Sequence, residues 1–195
     1  MKFFLCISLI LPLICGSATA LAETTTGWSG AGKISFSGTS TLHSWSGKVP
    51  ADPFTAQVIM ADTGTPKTLS ATVTVKAKDM NTAEPERDEK MRSSMKVTSY
   101  PLITGSFVNV PFASIMPDGR TPAQLPFKLE IMGKKQDVQG TISNWKLKGN
   151  TATFDLDFEL SLKKCGISVP SVLLVVRVGD AIKVRATVTL VRASA

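Results

Sequence analysis

The chain has 195 residues, one histidine, three cysteines and 22 Lys and Arg against 15 Asp and Glu, a formal charge of +7. That length suits one domain or at most two small ones. A single histidine excludes a multi-histidine metal centre, and a modest, dispersed basic excess argues against nucleic acid while allowing weak attraction to anionic lipids.

Residues 1–22, MKFFLCISLILPLICGSATALA, have a basic start at Lys2, an apolar run from Phe3 to Cys15 and then small residues. Ala20-Leu21-Ala22 has the Ala-x-Ala form of a signal-peptidase site, so a signal peptide over 1–22 is expected. Ala18-Thr19-Ala20 is the competing site, and Ile14 before Cys15 does not fit a lipobox. The run is too short to span a bilayer, and nothing later reaches the roughly 18 apolar residues needed. The mature domain, 23–195, would then be periplasmic or secreted. It would keep 21 bases and 15 acids, a charge of +6, and Cys165 as its one cysteine. Without a disulfide it must rest on its core, which a chain of this length can build.

The mature chain reads as β almost throughout. Ile34 and Phe36 begin a first strand. Leu69, Ala71, Val73 and Val75 alternate with Ser70, Thr72, Thr74 and Lys76. Glu84 to Met95 interrupts the pattern: Pro85 suits a first helical position, acids precede bases, and Met91 and Met95 stand four apart. These features predict one short helix, oriented as its dipole favours and able to cap the end of a barrel. Ile103 and Phe107 belong to the next strand; Phe127, Leu129 and Ile131 mark another, and Val138, Ile142 and Trp145 a third. From Thr151 to Lys163, Phe154, Leu156, Phe158, Leu160 and Leu162 alternate with polar residues, as Ile182 to Leu190 do at the end. Period two means strands with one apolar and one wet face. Asp118-Gly119, Gly133-Lys134, Gly149-Asn150 and Gly179-Asp180 supply the turns of an antiparallel meander.

Eight or nine one-sided strands must close into a barrel or split into a sandwich. Thirteen residues from Thr151 to Lys163 would extend about 43 Å, long for a sandwich, so the barrel is preferred. Its interior could be filled or hold a tall apolar slot; eight strands sit at that boundary.

No residue set reads as catalytic. There is no G-x-S-x-G elbow, and nothing local joins His43 to Cys165. His43, in Phe36–Val49 (FSGTSTLHSWSGKV), fits a barrel wall or rim, and Trp45 either core or ligand wall. Cys165 lies beside Lys163 and Lys164. It is either a small buried apolar residue or, if exposed, a thiol whose thiolate those ammonium groups favour. In that case it could join a homodimer; monomer and homodimer both stand as expectations. Lys183 and Arg185 oppose Ile182 and Val184 and read as a solvated outer face.

Three stretches together resemble the YceI-like family of exported polyisoprenoid-binding-type proteins: the FSGTSTLHSWSGKV opening, RDEKMRSSMKVTSYPLITGSF, and FELSLKKCGISVPSVLLVVRVGDAIKV. The resemblance covers about Gly30 to Val191. It implies an all-β, eight-stranded, antiparallel lipocalin-like barrel with a long internal tunnel. It also implies an amphiphilic isoprenoid-like or other lipid ligand, quinone-like lipids included, with no cofactor and no catalysis. The candidate wall residues are Phe36, Trp45, Leu69, Val73, Phe107, Phe127, Ile131, Phe154, Leu156, Phe158, Leu160, Val184 and Val188, with His43 and Tyr100 as mouth candidates. The alternative is a filled, ligand-free barrel acting as an interaction module in envelope stress.

Overall fold

A computed structural model of the protein describes residues 23–115, 123–168 and 177–193. The expected leader, the Asp118-Gly119 turn and Val169-Pro170-Ser171 lie outside the described residues. Nine strands form one antiparallel sheet: β1 (Thr24–Thr39), β2 (Ser44–Pro50), β3 (Phe54–Met60), β4 (Pro66–Lys76), β5 (Leu102–Pro111), β6 (Ala123–Ile131), β7 (Lys134–Lys148), β8 (Thr151–Ser161) and β9 (Ala181–Arg192). Among the described residues two α-helices join them, α1 (Pro85–Ser94) and the single turn α2 (Phe112–Ile115), with one 3-10 turn at Ala77–Asp79.

The sheet closes because β1 pairs with β9 along one edge, Gly32 opposite Val188. Its other edge is shared. The first half pairs with β3, Gly30 opposite Phe54, and the second half with β2, Gly38 opposite Trp45. β2 and β3 thus lie end to end as one stave, and with seven other strands they make a closed eight-stave barrel. The predicted hairpin at Gly133 forms with Met132 and Gly133 both at positive φ, 51° and 72°, the geometry of a tight two-residue turn.

Several boundaries differ from expectation. β1 begins at Thr24, well before Ile34. β8 ends at Ser161 rather than Lys163, because the chain turns there: Cys165 N–H donates to the Ser161 carbonyl at 3.0 Å and Ile167 N–H to the Leu162 carbonyl at 2.9 Å. At about 3.3 Å per residue it spans roughly 36 Å instead of 43 Å. α2 is a second helix where one was expected.

The two halves of the barrel differ in filling. Toward α2, Trp28, Val58, Leu69, Val110, Phe112 and Phe154 are buried in one packed cluster. Phe154 stacks on Trp145 with centroids 5.5 Å apart, and Phe112 meets the same indole edge-on. Toward α1 the inward residues surround open space.

Candidate functional site: an apolar cavity under the α1 helix

The open space follows from β1. Its inward residues are Trp28, Gly30, Gly32, Ile34, Phe36 and Gly38, so half of that face has no side chain. The facing staves use the room. Phe36 lies opposite Gly47, Trp45 opposite Gly38 and Phe54 opposite Gly30. In each pair the aromatic ring covers its glycine so closely that an added Cβ would come within 2.2 to 2.6 Å of it. The rings therefore lie flat along the wall instead of projecting into the lumen.

What remains is a cavity of about 540 Å³, within the range of small-molecule sites. Its walls are almost wholly apolar and come from every barrel strand except β7. β1 contributes Ile34 and Phe36, β2 Trp45 and Val49, β4 Val73 and Val75, β5 Ile103, Gly105 and Phe107. β6 supplies Phe127, Leu129 and Ile131; β8 supplies Leu156, Phe158 and Leu160; β9 supplies Ile182, Val184, Ala186 and Val188. The aromatic residues brace one another: Phe107 stacks on Phe127 at 4.9 Å, and Phe158 meets Phe127 edge-on at 5.2 Å.

Polar groups occur at the mouth. Ser40, Leu42 and His43 of the β1–β2 turn, Val178, and Glu86, Arg87 and Lys90 of α1 line this end. His43 is exposed, and its carbonyl accepts from Ser40 N–H and Oγ, both at 2.8 Å. It belongs to the rim. The turn is tied to the segment before β9, where Thr41 N–H donates to the Arg177 carbonyl at 3.0 Å.

α1 covers this end. Glu84 is its N-cap and Pro85 its first residue, and half-buried Met91 and buried Met95 face the cavity. Its anchor is a charged residue that the sequence marks only as one of the acids of the first turn. Asp88 is 5% exposed and accepts from Thr82 N–H at 2.9 Å and Thr82 Oγ1 at 2.6 Å. Burial pushes the Asp88 carboxyl up, but the two Thr82 donors, with Arg92 and Arg87 nearby, outweigh it and hold the group below its ordinary value. Arg87 donates to Thr82 Oγ1 and its carbonyl, both at 2.9 Å, so its guanidinium is committed to this joint.

Twelve of the fifteen sequence candidates line the cavity: Phe36, His43, Trp45, Val73, Phe107, Phe127, Ile131, Leu156, Phe158, Leu160, Val184 and Val188. Three do not. Leu69 and Phe154 face inward but sit in the packed half, because alternation fixes a residue's face and not its height. Tyr100 is 40% exposed and lies outside against the Gly133 turn, its ring 3.4 Å from where a Gly133 Cβ would stand. Ile34, Ile103 and Leu129 were missed, though their same-face alternation with named neighbours was available. Met91 and Met95 line the cavity as the expected cap of the barrel end, whereas nothing local marked Glu86, Arg87 and Lys90 as rim.

Cys165 is 1% exposed and lines the cavity. Gln136 Nε2 donates to its sulfur at 3.0 Å, and burial pushes the thiol up. Of the two readings, the small buried residue holds, and the exposed, lysine-activated thiolate does not. Arg185 is exposed as expected and makes a forked contact with Asp157 at 2.6 and 3.2 Å. A second, polar groove runs beside β7 and β8, lined by Gln136, Asp137, Gln139, Glu159 and Lys164 among others. There the β7–β8 ladder has stopped at Thr141 opposite Asp157. Among the described residues no cluster of three metal-ligating side chains occurs, and no helix is long and apolar enough to cross a membrane.

The YceI-like domain model matches residues 29–190. The chain belongs to the YceI-like family. No curated protein matches it. Among solved structures it is similar to BcnA of Burkholderia cenocepacia, at 18% identity and a TM-score of 0.63, over 81% of this chain and 95% of that one. A polyisoprenoid binding domain from Saccharophagus degradans, implicated in plant cell wall breakdown, matches at 12% identity and TM-score 0.60, over 87% and 100% of the chains. The YceI protein of Campylobacter jejuni matches at 16% identity and TM-score 0.53, over 76% and 85%. At these identities the likeness speaks for a shared YceI-like barrel.

Proposed function

We propose that this YceI-like protein is an exported, non-catalytic carrier that holds one amphiphilic lipid, isoprenoid-like, quinone-like or acyl, in its barrel. The observation that carries this reading is the cavity of about 540 Å³ with apolar walls and polar groups gathered at one mouth. Such a site suits a molecule with one long apolar tail and one polar end. Affinity would come from burial, about 0.8 kcal/mol for each methylene withdrawn from water. The rim carries both charge signs, Glu86 beside Lys90, so it orients a head group without demanding a particular charge. The polyisoprenoid-binding relative from Saccharophagus degradans supports an isoprenoid-like occupant. The leader-like residues 1–22 support export to the periplasm. The open cavity speaks against the filled-barrel alternative.

Thermal unfolding tests the reading. Lipid-free protein should gain about 2.7 kcal/mol from a linear prenol or long-chain alcohol present at one hundred times its Kd. A melting curve unmoved by every member of a prenol, quinone and acyl panel would contradict it.

A further inference from the structure

The cavity is closed at its far end, and this limits the tail it can accept. On seven staves the lining stops at one residue, and the next inward residues, buried on every stave except for half-buried Ala71 on β4, do not line it. Along β1 the lining ends at Gly32, before Gly30 and Trp28; along β3 at Phe54, before Ala56 and Val58. On β4 it ends at Val73, above buried Leu69; on β5 at Phe107, before Val110; on β6 at Phe127, before Leu125. On β8 and β9 it ends at Leu156 and Val188, before Phe154 and Leu190. Beneath that level the barrel is packed and α2 closes it with Phe112 and Ile115. The resemblance implied a long tunnel; the geometry gives a blind pocket.

We infer that the stacked Phe107–Phe127 pair is a chain-length stop, so the carrier takes a single tail of bounded length, inserted tail-first with its head at the α1 rim. This rests on the carrier reading above. The volume sets the bound. About 540 Å³ is the share of roughly eighteen water-sized groups at about 30 Å³ each. A methylene is close to that size, so the pocket takes a straight chain of about eighteen carbons, or three to four isoprene units. Carbons beyond the limit stay in water at the mouth and add nothing. Gly105 sets the width beside the stop, since a Cβ there would lie 3.5 Å from the Phe107 ring, in ordinary contact.

The test is titration of the lipid-free full-length mature protein with straight-chain alcohols of increasing length, followed by calorimetry or native mass spectrometry. Affinity should climb about fourfold per methylene and then level off at about eighteen carbons. Phe107→Ala should move the plateau to a longer chain. Phe107→Leu provides a milder opening should the alanine variant fail to fold, and Gly105→Ala should bring the plateau about one carbon earlier. Affinity that keeps rising through the longest alcohol, or a plateau that none of these variants moves, overturns the stop. Absence of binding at every length overturns the carrier reading and the stop together.

Discussion

Leu69→Ala and Leu160→Ala remove the same atoms from two heights of one barrel, and they should not cost the same. Leu69 is 6% exposed inside the packed half, opposite Val58 on β3 and Val110 on β5. Its truncation leaves a new void among close-packed neighbours, where such changes cost about 2–5 kcal/mol. Leu160 is half-buried and already borders the cavity. Atoms facing a void have no contacts to lose on that side, so its truncation should cost about 1–2 kcal/mol, the lower end or below. For a chain of this size each kcal/mol moves Tm by about 2–4 °C, so Leu69→Ala should melt roughly 10 °C low and Leu160→Ala roughly 4 °C low. Urea unfolding of lipid-free protein at neutral pH gives the free energies directly. Equal costs for the two variants would mean that the two halves are filled alike, and the division into core and cavity would fall.

Asp88→Ala should strand two Thr82 donors, costing about 1–3 kcal/mol and exposing α1 to proteolysis before the barrel. Because the folded Asp88 carboxyl lies below its ordinary value, its stabilisation is present above about pH 4 and is lost as pH falls through the lower, folded value; acid hydrogen exchange in α1 reads this. Cys165 should resist a thiol reagent in the native state and react on unfolding, and non-reducing electrophoresis of oxidant-treated protein should show no disulfide dimer. Gly47→Ala should drive Phe36 off the wall, its ring being 2.4 Å from the new Cβ, and press on the Asn81 carbonyl 2.9 Å away, so that lipid capacity and stability both fall; undiminished capacity in the folded variant would refute the role given to the paired glycines.

Much of the barrel was legible in the sequence. The alternations in β8 and β9 and the tight turns at Gly133 and Gly149 name hairpins without any structure. The Glu84–Met95 helix was legible too, because Pro85 and the order of its charges are local signals. The void was not, for a specific reason. Gly30, Gly32 and Gly38 stand in phase with Trp28, Ile34 and Phe36, yet glycine carries no hydrophobic label and is usually read as a turn. Recognising it as wall requires knowing that Phe54, Phe36 and Trp45 fold across Gly30, Gly47 and Gly38 from neighbouring strands. That is register, which a single strand does not contain. Height along the barrel was hidden likewise, so Phe154 and Leu156 looked equivalent, although one is packed core and the other lines the cavity. Asp88 was missed because a charged helix face is normally solvated; the buried Thr82 that receives it comes from the preceding turn.

The most direct test of the central claim is native followed by denaturing mass spectrometry of the protein, expressed from its full sequence and purified without detergent. The account predicts one released lipid per chain, with a single apolar tail and a polar head, lost or reduced in Gly47→Ala. Ligand-free protein that also fails to take up prenols, quinones or long-chain alcohols would contradict it.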